Sequence, residues 1–320
     1  MSAIIVAGET LVDMLPGPGE TLVDVEGFTH RPGGAPANVA VGLSRLGAEP
    51  ALWTRLGDDP FGDFLRETLA NEGVSGTLIE RIDGNTTLAV VSPPGVDGRR
   101  FRFYGSRAVT FGFDPASVPT AALESRSWVH LGGVALTHPS GRAAMRELAE
   151  RAGDRGCAVS FDVNYRPDLV PADEREAVRD AIRSIVADSD VVFCSDEDVE
   201  AAGLSSLEGA DLARDLLSLG PHTVAVTLGA DGALVASTAA APWGEREARH
   251  GGFPVDAVDA TGAGDAFTSG LLSRLSTVTT DLDAAVAFAN ATAALSVRER
   301  GGMTALPTAE AVEEFLANRR

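Results

Sequence analysis

The sequence contains no lysine, and all 26 basic residues among its 320 are arginine. A P-loop uses a lysine to hold the β- and γ-phosphates of a nucleotide, and protein kinases use a strand lysine in a similar way. Pyridoxal and Schiff-base enzymes need a lysine amine for their covalent chemistry. The absence of lysine therefore excludes all of these classes.

Positive charge is scarce, since 46 acidic residues outnumber the 26 basic ones and the formal net charge is −20. Binding to nucleic acid requires a concentrated basic surface, so we expect no nucleic-acid partner. The acidic excess is typical of a solubilising surface, and it does not exclude a single local site for an anion.

Cysteines and long apolar runs are also rare. The two cysteines, Cys157 and Cys194, lack the spacing of a disulfide framework, which fits a reducing compartment and predicts a cytoplasmic protein. No apolar run approaches the roughly 18 residues of a membrane span, so we expect no membrane partner. The short run at 3–7 predicts a core strand rather than a signal peptide.

Short apolar runs alternate with helical patterns along most of the chain. Strand-length runs occur at "ALWTRLG", "SWVHLGG", "CAVSFDVN", "DVVFCS" and "TVAVTLG". Helical patterns cover 36–46, 140–152, 174–187 and 207–219, and most of 264–300. Strands that alternate with helices indicate βαβ units and a mainly parallel sheet covered on both faces.

Two segments, 11–30 and 86–107, depart from this alternation. They contain alternating, β-rich stretches such as "TTLAVVS" and "RFRFYGS", which predict a small antiparallel sheet that projects as a lid. Between two of its strands, "SPPGVDGRR" has the glycine and proline content of a hairpin turn. Since no linker or internal repeat is visible, we predict a single domain over 1–320 that carries this lid.

The stretch "DATGAGDAF", 259–267, combines a glycine-rich loop with an acid at the start of a helical pattern. Glycines let the backbone approach a ligand closely, and free N–H groups at a helix N-terminus bind anions such as phosphate. Asp265 suits a general base that takes a proton from an attacking hydroxyl. Its alternative role is to cap the helix. The stretch is not a dinucleotide fingerprint, because Phe267 occupies the third glycine position.

A second motif lies far from the first, at "GGAPANVAVGLSRLG", 33–47, followed by "LGDDPFG". Together with "DATGAGDAF" it resembles the paired signatures of the PfkB, or ribokinase-like, carbohydrate kinases. The resemblance extends from "GETLVDMLP" to "ANATAALSV", essentially the whole chain. It implies a ribokinase-like three-layer α/β/α sandwich with a small β-sheet lid, and ATP-dependent phosphorylation of a sugar hydroxyl.

The resemblance also implies roles for individual residues. Asp265 would be the base, and the anion hole would consist of Gly262, Ala263 and Gly264. Hydroxyl groups of the sugar would be held by Asp13, Gly33, Gly34 and Asn38. Without the resemblance, Asp13 could equally be a turn residue at the end of a strand.

The nucleotide and metal sites follow from the same resemblance. The nucleotide would contact Ser195, Thr227, Gly229, Gly232 and Asn290. In "FCSDEDVE", Ser195 and Asp198 stand where the family often has asparagine and glutamate, so Asp198 would bind Mg²⁺ through water. Asp259 and Thr261 match a site for an activating monovalent cation such as K⁺. Taken alone, "TLGADG" is also compatible with an ordinary glycine turn, and Asn290 with helix packing.

The choice of sugar depends on finer similarities. "VHLGGVALTHPSGR" and "FDVNYRPDL" are most similar to bacterial fructokinases, with 2-keto-3-deoxygluconate kinases next. Arg166 is the arginine that these subfamilies place near phosphates or a substrate acid group. Gly105 replaces an arginine common on the lid, and Arg107 follows two residues later, which favours a neutral sugar, D-fructose.

Three other functions remain open at this stage: phosphorylation of a keto-acid sugar, phosphorylation of a nucleoside, and a catalytically silent sugar-sensing role. Lids of this type often pair between subunits, so the resemblance also implies a homodimer.

Overall fold

The computed structural model describes residues 3–93, 101–117, 120–277 and 281–319. Its strands are β1 (Ala3–Ala7), β2 (Leu11–Pro16), β3 (Phe28–Gly33), β4 (Glu49–Gly57), β5 (Ile79–Ile82), β6 (Leu88–Val91), β7 (Phe101–Tyr104), β8 (Trp128–Gly132), β9 (Ala158–Asp162), β10 (Val191–Ser195), β11 (Thr223–Thr227), β12 (Ala233–Ser237) and β13 (Arg246–His250). Its α-helices are α1 (Ala35–Arg45), α2 (Pro60–Asn71), α3 (Arg107–Phe111), α4 (Thr120–Glu124), α5 (Pro139–Gly153), α6 (Arg175–Ala187), α7 (Asp196–Ala202), α8 (Gly209–Leu217), α9 (Ala263–Leu275), α10 (Leu282–Ser296) and α11 (Ala309–Ala317).

The main sheet has nine strands in the order β13-β12-β11-β10-β9-β8-β1-β4-β5. Its strands pair in parallel from β11 to β5, whereas β12 and β13 add antiparallel pairs at one edge. The strand order reverses beside β1. The chain adds β4 and β5 on one side of β1 and then adds β8 on its other side. In open α/β sheets, ligands bind at the carboxyl ends of the strands next to such a reversal.

The sheet is buried by helices on both faces, as the near-continuous apolar strands predict. One core contains residues of α5, α6 and α8, among them Leu148, Ile182 and Leu212. The other contains residues of α1, α9 and α10, such as Leu43 and Leu271. The predicted α/β class and ribokinase-like three-layer arrangement are confirmed.

The second sheet has four strands in the order β3-β2-β6-β7. The outer pairs, β2 with β3 and β6 with β7, are antiparallel, but β2 and β6 run parallel. The prediction of a purely antiparallel sheet was therefore wrong, because two hairpins meet side by side with their first strands in the same direction. The hairpin turn was predicted at 92–100, and residues 94–100 of it lie outside the described residues.

Among the described residues, no helix has both the length and the apolarity that crossing a membrane requires.

Candidate active site

A cavity of about 710 Å³ lies at the carboxyl ends of the parallel strands, below the small sheet. Asp162, Ser195 and Thr227 are the last residues of β9, β10 and β11, and all three line it. The small sheet contributes side chains to the same cavity, including Phe101 and Phe103. The cavity thus lies next to the reversal in strand order, where the topology places a ligand.

The N-terminus of α9 opens into this cavity. Gly262, at its N-cap, has a left-handed backbone with φ 76°, and none of the described side chains caps the helix. A Cβ added to Gly262 would lie 2.8 Å from the Cα of Gly302, so only glycine fits between the two loops. A Cβ on Gly264 would meet no described atom within 4 Å. The first turn of α9 can therefore offer its backbone N–H groups to an anion.

Asp265 lies in that first turn and is oriented by Asn38. The Nδ2 of Asn38 donates a hydrogen bond to Oδ2 of Asp265 at 2.7 Å, linking α1 to α9. Burial raises the pKa of Asp265 to about 6, although the Asn38 hydrogen bond and Arg166 act to lower it. The Oδ1 of Asn38 is buried and has no hydrogen-bond partner among the described residues. A carboxyl group with this pKa can exchange a proton near neutral pH, and its role as a base stays a prediction.

Asp13 extends from β2 toward the same cavity, packed against Gly33 of the neighbouring strand. A Cβ on Gly33 would lie 2.3 Å from Oδ2 of Asp13. Gly34 has φ 102° at the N-cap of α1, and a Cβ there would lie 2.5 Å from the carbonyl oxygen of Glu9. Gly34 lines the cavity, whereas Gly33 leaves the space that the carboxylate of Asp13 occupies.

Arg166, Asp198 and Ser195 form a second polar group along the cavity wall. Nη1 of Arg166 donates to Oδ1 of Asp198 at 2.6 Å, and the hydroxyl of Ser195 donates to Oδ2 of Asp198 at 3.0 Å. Arg166 is half exposed, and it is the one basic residue among the described residues that line the cavity. Its guanidinium is therefore available for an anionic group that competes with Asp198.

The predicted nucleotide residues separate in the structure. Ser195 and Thr227 line the cavity, but Gly229, Gly232 and Asn290 do not. A Cβ on Gly232 would lie 1.9 Å from the carbonyl oxygen of His250, so this glycine allows β12 to pack against β13. Nδ2 of Asn290 donates to the carbonyl of Val286 within α10. Gly232 and Asn290 thus have local contacts in the structure. Nucleotide contacts of Gly229, Gly232 and Asn290 stay predictions.

Asp259 and Thr261 hold the loop that precedes α9. Oδ1 of Asp259 accepts from the backbone N–H and the hydroxyl of Thr261, at 3.0 and 2.6 Å. Its Oδ2 accepts from the N–H of Gly301 at 3.1 Å, which joins this loop to the 301–302 segment. Thr261 lines the cavity and Asp259 does not. A cation role for the pair stays a prediction.

Among the polar residues of the cavity that were not singled out from the sequence are Glu9, Asp162 and Asn164. Burial raises the pKa of Asp162 well above its usual range, and Asp198 and Asp265 add to the effect. Asn164 has an unusual φ of 27°, and its buried Oδ1 has no partner among the described residues. Polar residues at or just after the end of a predicted buried strand, in "AGE" and "FDVN", were the signal that could have identified them.

Comparisons with known proteins agree with this geometry. The sequence profile of the pfkB family carbohydrate kinases matches residues 1–309. A fructokinase from Vibrio alginolyticus is 32% identical over 331 residues, covering 99% of this chain and 99% of its own.

Two crystal structures are similar to this fold over nearly their whole length. A fructokinase from Xylella fastidiosa with bound ATP has a TM-score of 0.88 and 28% identity, covering 99% of this chain and 98% of that one. A fructokinase from Vibrio cholerae O395 with fructose, ADP and calcium bound has a TM-score of 0.85 and 31% identity, covering 99% of both chains.

The fold and the cavity define a phosphotransferase that acts on an alcohol group. The chain belongs to the pfkB family of carbohydrate kinases and is an ATP-dependent sugar kinase.

Proposed function

We propose that this enzyme phosphorylates a primary hydroxyl of D-fructose and converts fructose and ATP into fructose 6-phosphate and ADP. The observation that carries the proposal is the Asn38–Asp265 hydrogen bond at the N-terminus of α9, at the base of the cavity. The relatives named fructokinases over nearly the full chain support fructose as the acceptor.

The scarcity of basic residues around the cavity favours a neutral sugar. Arg107 does not line the cavity, and its Nη2 donates to the carbonyl of Thr137 at 3.0 Å. Gly105 has no side chain to offer. None of the described arginines of the lid lines the cavity, and Arg166 lies beside Asp198 near the carboxyl end of β9. A keto-acid sugar would leave its carboxylate without a cationic partner on the lid side.

In the proposed mechanism, Asp265 removes the proton of the acceptor hydroxyl while its oxygen attacks the γ-phosphorus of ATP. The bond from phosphorus to the β,γ-bridging oxygen breaks, and ADP leaves with that oxygen. Backbone N–H groups at 262–264 stabilise charge on the transferring phosphoryl group. Asp13 and Asn38 hold sugar hydroxyls so that the acceptor stays in line.

The nucleotide phosphates would approach along the wall that carries Arg166, where the guanidinium exchanges its ion pair with Asp198 for phosphate oxygens. Among the described residues, no group of three or more acidic, histidine or cysteine side chains could hold a metal ion alone. This suits Mg²⁺, which binds through one or two carboxylates together with substrate phosphates and water. Asp198 would supply the carboxylate, and the ion would screen phosphate charge.

The small sheet would act as a lid over the sugar and exclude water as a competing acceptor. We also infer that two copies pair through their lids. Four of the six large exposed apolar residues among those described belong to this region, namely Leu22, Val23, Phe28 and Tyr104. Light scattering at micromolar concentration tests this idea, and a monomer would contradict it.

Two further properties complete the proposal. K⁺ would bind near Asp259 and Thr261 and activate the enzyme. The protein would work in the cytoplasm, where ATP is available and where its two buried cysteines stay free thiols.

An assay that couples ADP release to a measurable signal tests the substrate. The panel contains ketoses, keto-acid sugars, deoxy-sugars and nucleosides, each with ATP and Mg²⁺. We expect the highest kcat/KM with D-fructose. A higher value with 2-keto-3-deoxygluconate or with adenosine or inosine would replace fructose as the substrate and leave the kinase class intact.

A further inference from the structure

Glu9 is a buried acid in the cavity to which the mechanism above assigns no role. It follows β1, the strand beside the reversal of strand order, and only 2% of its surface is exposed. The preceding residue, Gly8, has φ 149° and packs closely against α1, since a Cβ there would lie 2.3 Å from Cγ of Pro36. The position of the carboxyl group is thus set by the packing of β1 against α1.

The two oxygens of this carboxyl group have different surroundings. Oε1 accepts a hydrogen bond from the backbone N–H of Ala35 at 3.3 Å. Oε2 is buried and has no hydrogen-bond partner among the described residues. A buried polar atom without a partner costs about 1–3 kcal/mol, so a ligand that supplies the partner recovers that free energy on binding.

The charge around Glu9 favours its neutral form. Burial raises its pKa to about 8, and Asp265 on α9 adds to the effect. The backbone hydrogen bonds and Arg166 act in the opposite direction but do not offset it. The same cavity is lined by further acids, namely Asp13, Asp162, Asp168, Glu197 and Asp198. At neutral pH, Glu9 therefore holds a proton while Asp265 is mostly ionised.

The hydrogen bond from Ala35 decides where that proton lies. Oε1 accepts an N–H, so in the neutral acid the proton resides on Oε2. Oε2 then is a hydrogen-bond donor. The neighbouring polar groups of the cavity are acceptors, namely the carboxylate of Asp265 and the Oδ1 atoms of Asn38 and Asn164. A sugar hydroxyl oxygen can accept this bond while its own proton goes to one of those acceptors.

We propose that Glu9 is a sugar-positioning residue whose neutral carboxyl group donates a hydrogen bond from Oε2 to an oxygen of the acceptor and holds it against Asp265. This role rests on the proposed sugar kinase function. The site would then contain two carboxyl groups with opposite roles. Neutral Glu9 donates a hydrogen bond, whereas ionised Asp265 accepts a proton.

The variants Glu9→Gln and Glu9→Ala separate this role from a structural one. Glutamine keeps an oxygen for the N–H of Ala35 and an N–H₂ donor in the place of Oε2, and it cannot ionise. We expect kcat/KM for D-fructose to stay within about 5-fold of wild type in Glu9→Gln and to fall by about 10–100-fold in Glu9→Ala. The KM for ATP should not change in either variant.

The pH profile gives the sharper readout. In the wild type, kcat/KM for D-fructose should fall about tenfold per pH unit above about pH 8, as Glu9 ionises and loses its donor. In Glu9→Gln this alkaline decline should be absent up to about pH 9.5. The chain has no lysine, and burial raises the pKa of both Cys157 and Cys194, so these side chains do not imitate the effect. Burial also raises the pKa of Asp162 in the same cavity, and a decline caused by Asp162 would persist in Glu9→Gln and count against the role of Glu9.

The control is Glu150→Gln, an exposed acid on α5, which should retain both the activity and the alkaline decline of the wild type. Wild-type kinetics in Glu9→Ala, or an alkaline decline that persists in Glu9→Gln, would overturn the proposal. If Glu9→Ala does not fold by circular dichroism, the comparison of Glu9→Gln with the wild type still decides. A wild-type enzyme without turnover on any sugar would instead refute the proposed function, and with it the role of Glu9.

Discussion

Two buried polar clusters lie on the same central sheet, and they differ in how their polar atoms are satisfied. The first, at the carboxyl ends of the strands, contains Glu9, Asn38 and Asp265 and leaves buried oxygens without partners among the described residues. The second, between β8 and β9, contains Trp128, His130 and Ser160. In it, the hydroxyl of Ser160 accepts from Nε1 of Trp128 at 2.8 Å and lies 2.9 Å from Nδ1 of His130.

Burial perturbs titration in both clusters, so a shifted pKa does not distinguish them. Desolvation raises the pKa of Asp265 to about 6 and lowers that of His130 to about 3. What differs is the open space: residues of the first cluster line a cavity and include buried oxygens without a described partner, while the second cluster is closed within the core. Unpaired polar atoms around a cavity indicate a ligand site, whereas mutually bonded ones indicate a structural network.

The largest expected effect is a loss of kcat, and it arises from a change in the first cluster. Asp265→Asn keeps the shape of the side chain but removes the base, so kcat should fall by about 10³-fold or more, with the KM for sugar nearly unchanged. Steady-state kinetics and isothermal titration with D-fructose measure both quantities. Asp283→Asn, in the first turn of α10, is the matched control and should behave as wild type. Normal turnover in Asp265→Asn would refute its assignment as the base.

A steric change next to Asp13 tests the sugar side of the first cluster. In Gly33→Ala, the new Cβ displaces the carboxylate of Asp13, so the KM for sugar should rise by about 10-fold or more, while the KM for ATP stays constant. Gly27→Ala, in the loop just before β3, is the control, because a Cβ there would meet no described atom within 4 Å. An unchanged sugar KM in Gly33→Ala would remove Asp13 from the sugar site.

The acid side of the pH profile tests the environment of the base. Since Asp265 must be ionised and burial raises its pKa to about 6, kcat/KM should fall about tenfold per pH unit below about pH 6. The Asn38 hydrogen bond lowers that pKa, so in Asn38→Ala the decline should begin at higher pH. A decline that begins at the same pH in both enzymes would show that Asn38 does not act on the base.

The smallest expected effect lies in the second cluster and concerns stability alone. Ser160→Ala leaves the indole N–H of Trp128 and Nδ1 of His130 without their shared partner, which should lower the free energy of unfolding by about 2–3 kcal/mol. Thermal melting measures the loss, and kcat should not change. Ser273→Ala is the control, since its hydroxyl only donates to the carbonyl of Gly270 in its own helix. A large loss of kcat in a folded Ser160→Ala would erase the distinction between the clusters.

Much of the fold was predictable because the signals are local. Apolar runs of strand length and helical periodicity correctly predicted the parallel strands at "ALWTRLG", "SWVHLGG", "CAVSFDVN", "DVVFCS" and "TVAVTLG", and helices α5, α6 and α8 between them. Helices α2 and α7 were not predicted. The small sheet was located, but its parallel β2–β6 pair was not foreseen, since pairing between distant hairpins leaves no mark in either segment.

The site was predictable to a lesser extent. Motif residues such as Asp265, Asn38 and Asp13 do line the cavity, whereas Gly229, Gly232 and Asn290 have local contacts away from it. Their surroundings depend on which strand or helix packs against them, and no spacing along the chain encodes that.

The class of chemistry can be inferred from residue type and order, because the absence of lysine, the glycine loop and the acid at 265 are visible along the chain. Which polar groups are buried together, and which of their atoms lack described partners, depends on how distant segments pack. Burial and pairing arise when β1, α1 and α9 meet, and these contacts join residues as far apart as Asn38 and Asp265. The protonation states of Glu9 and Asp265 follow from that environment.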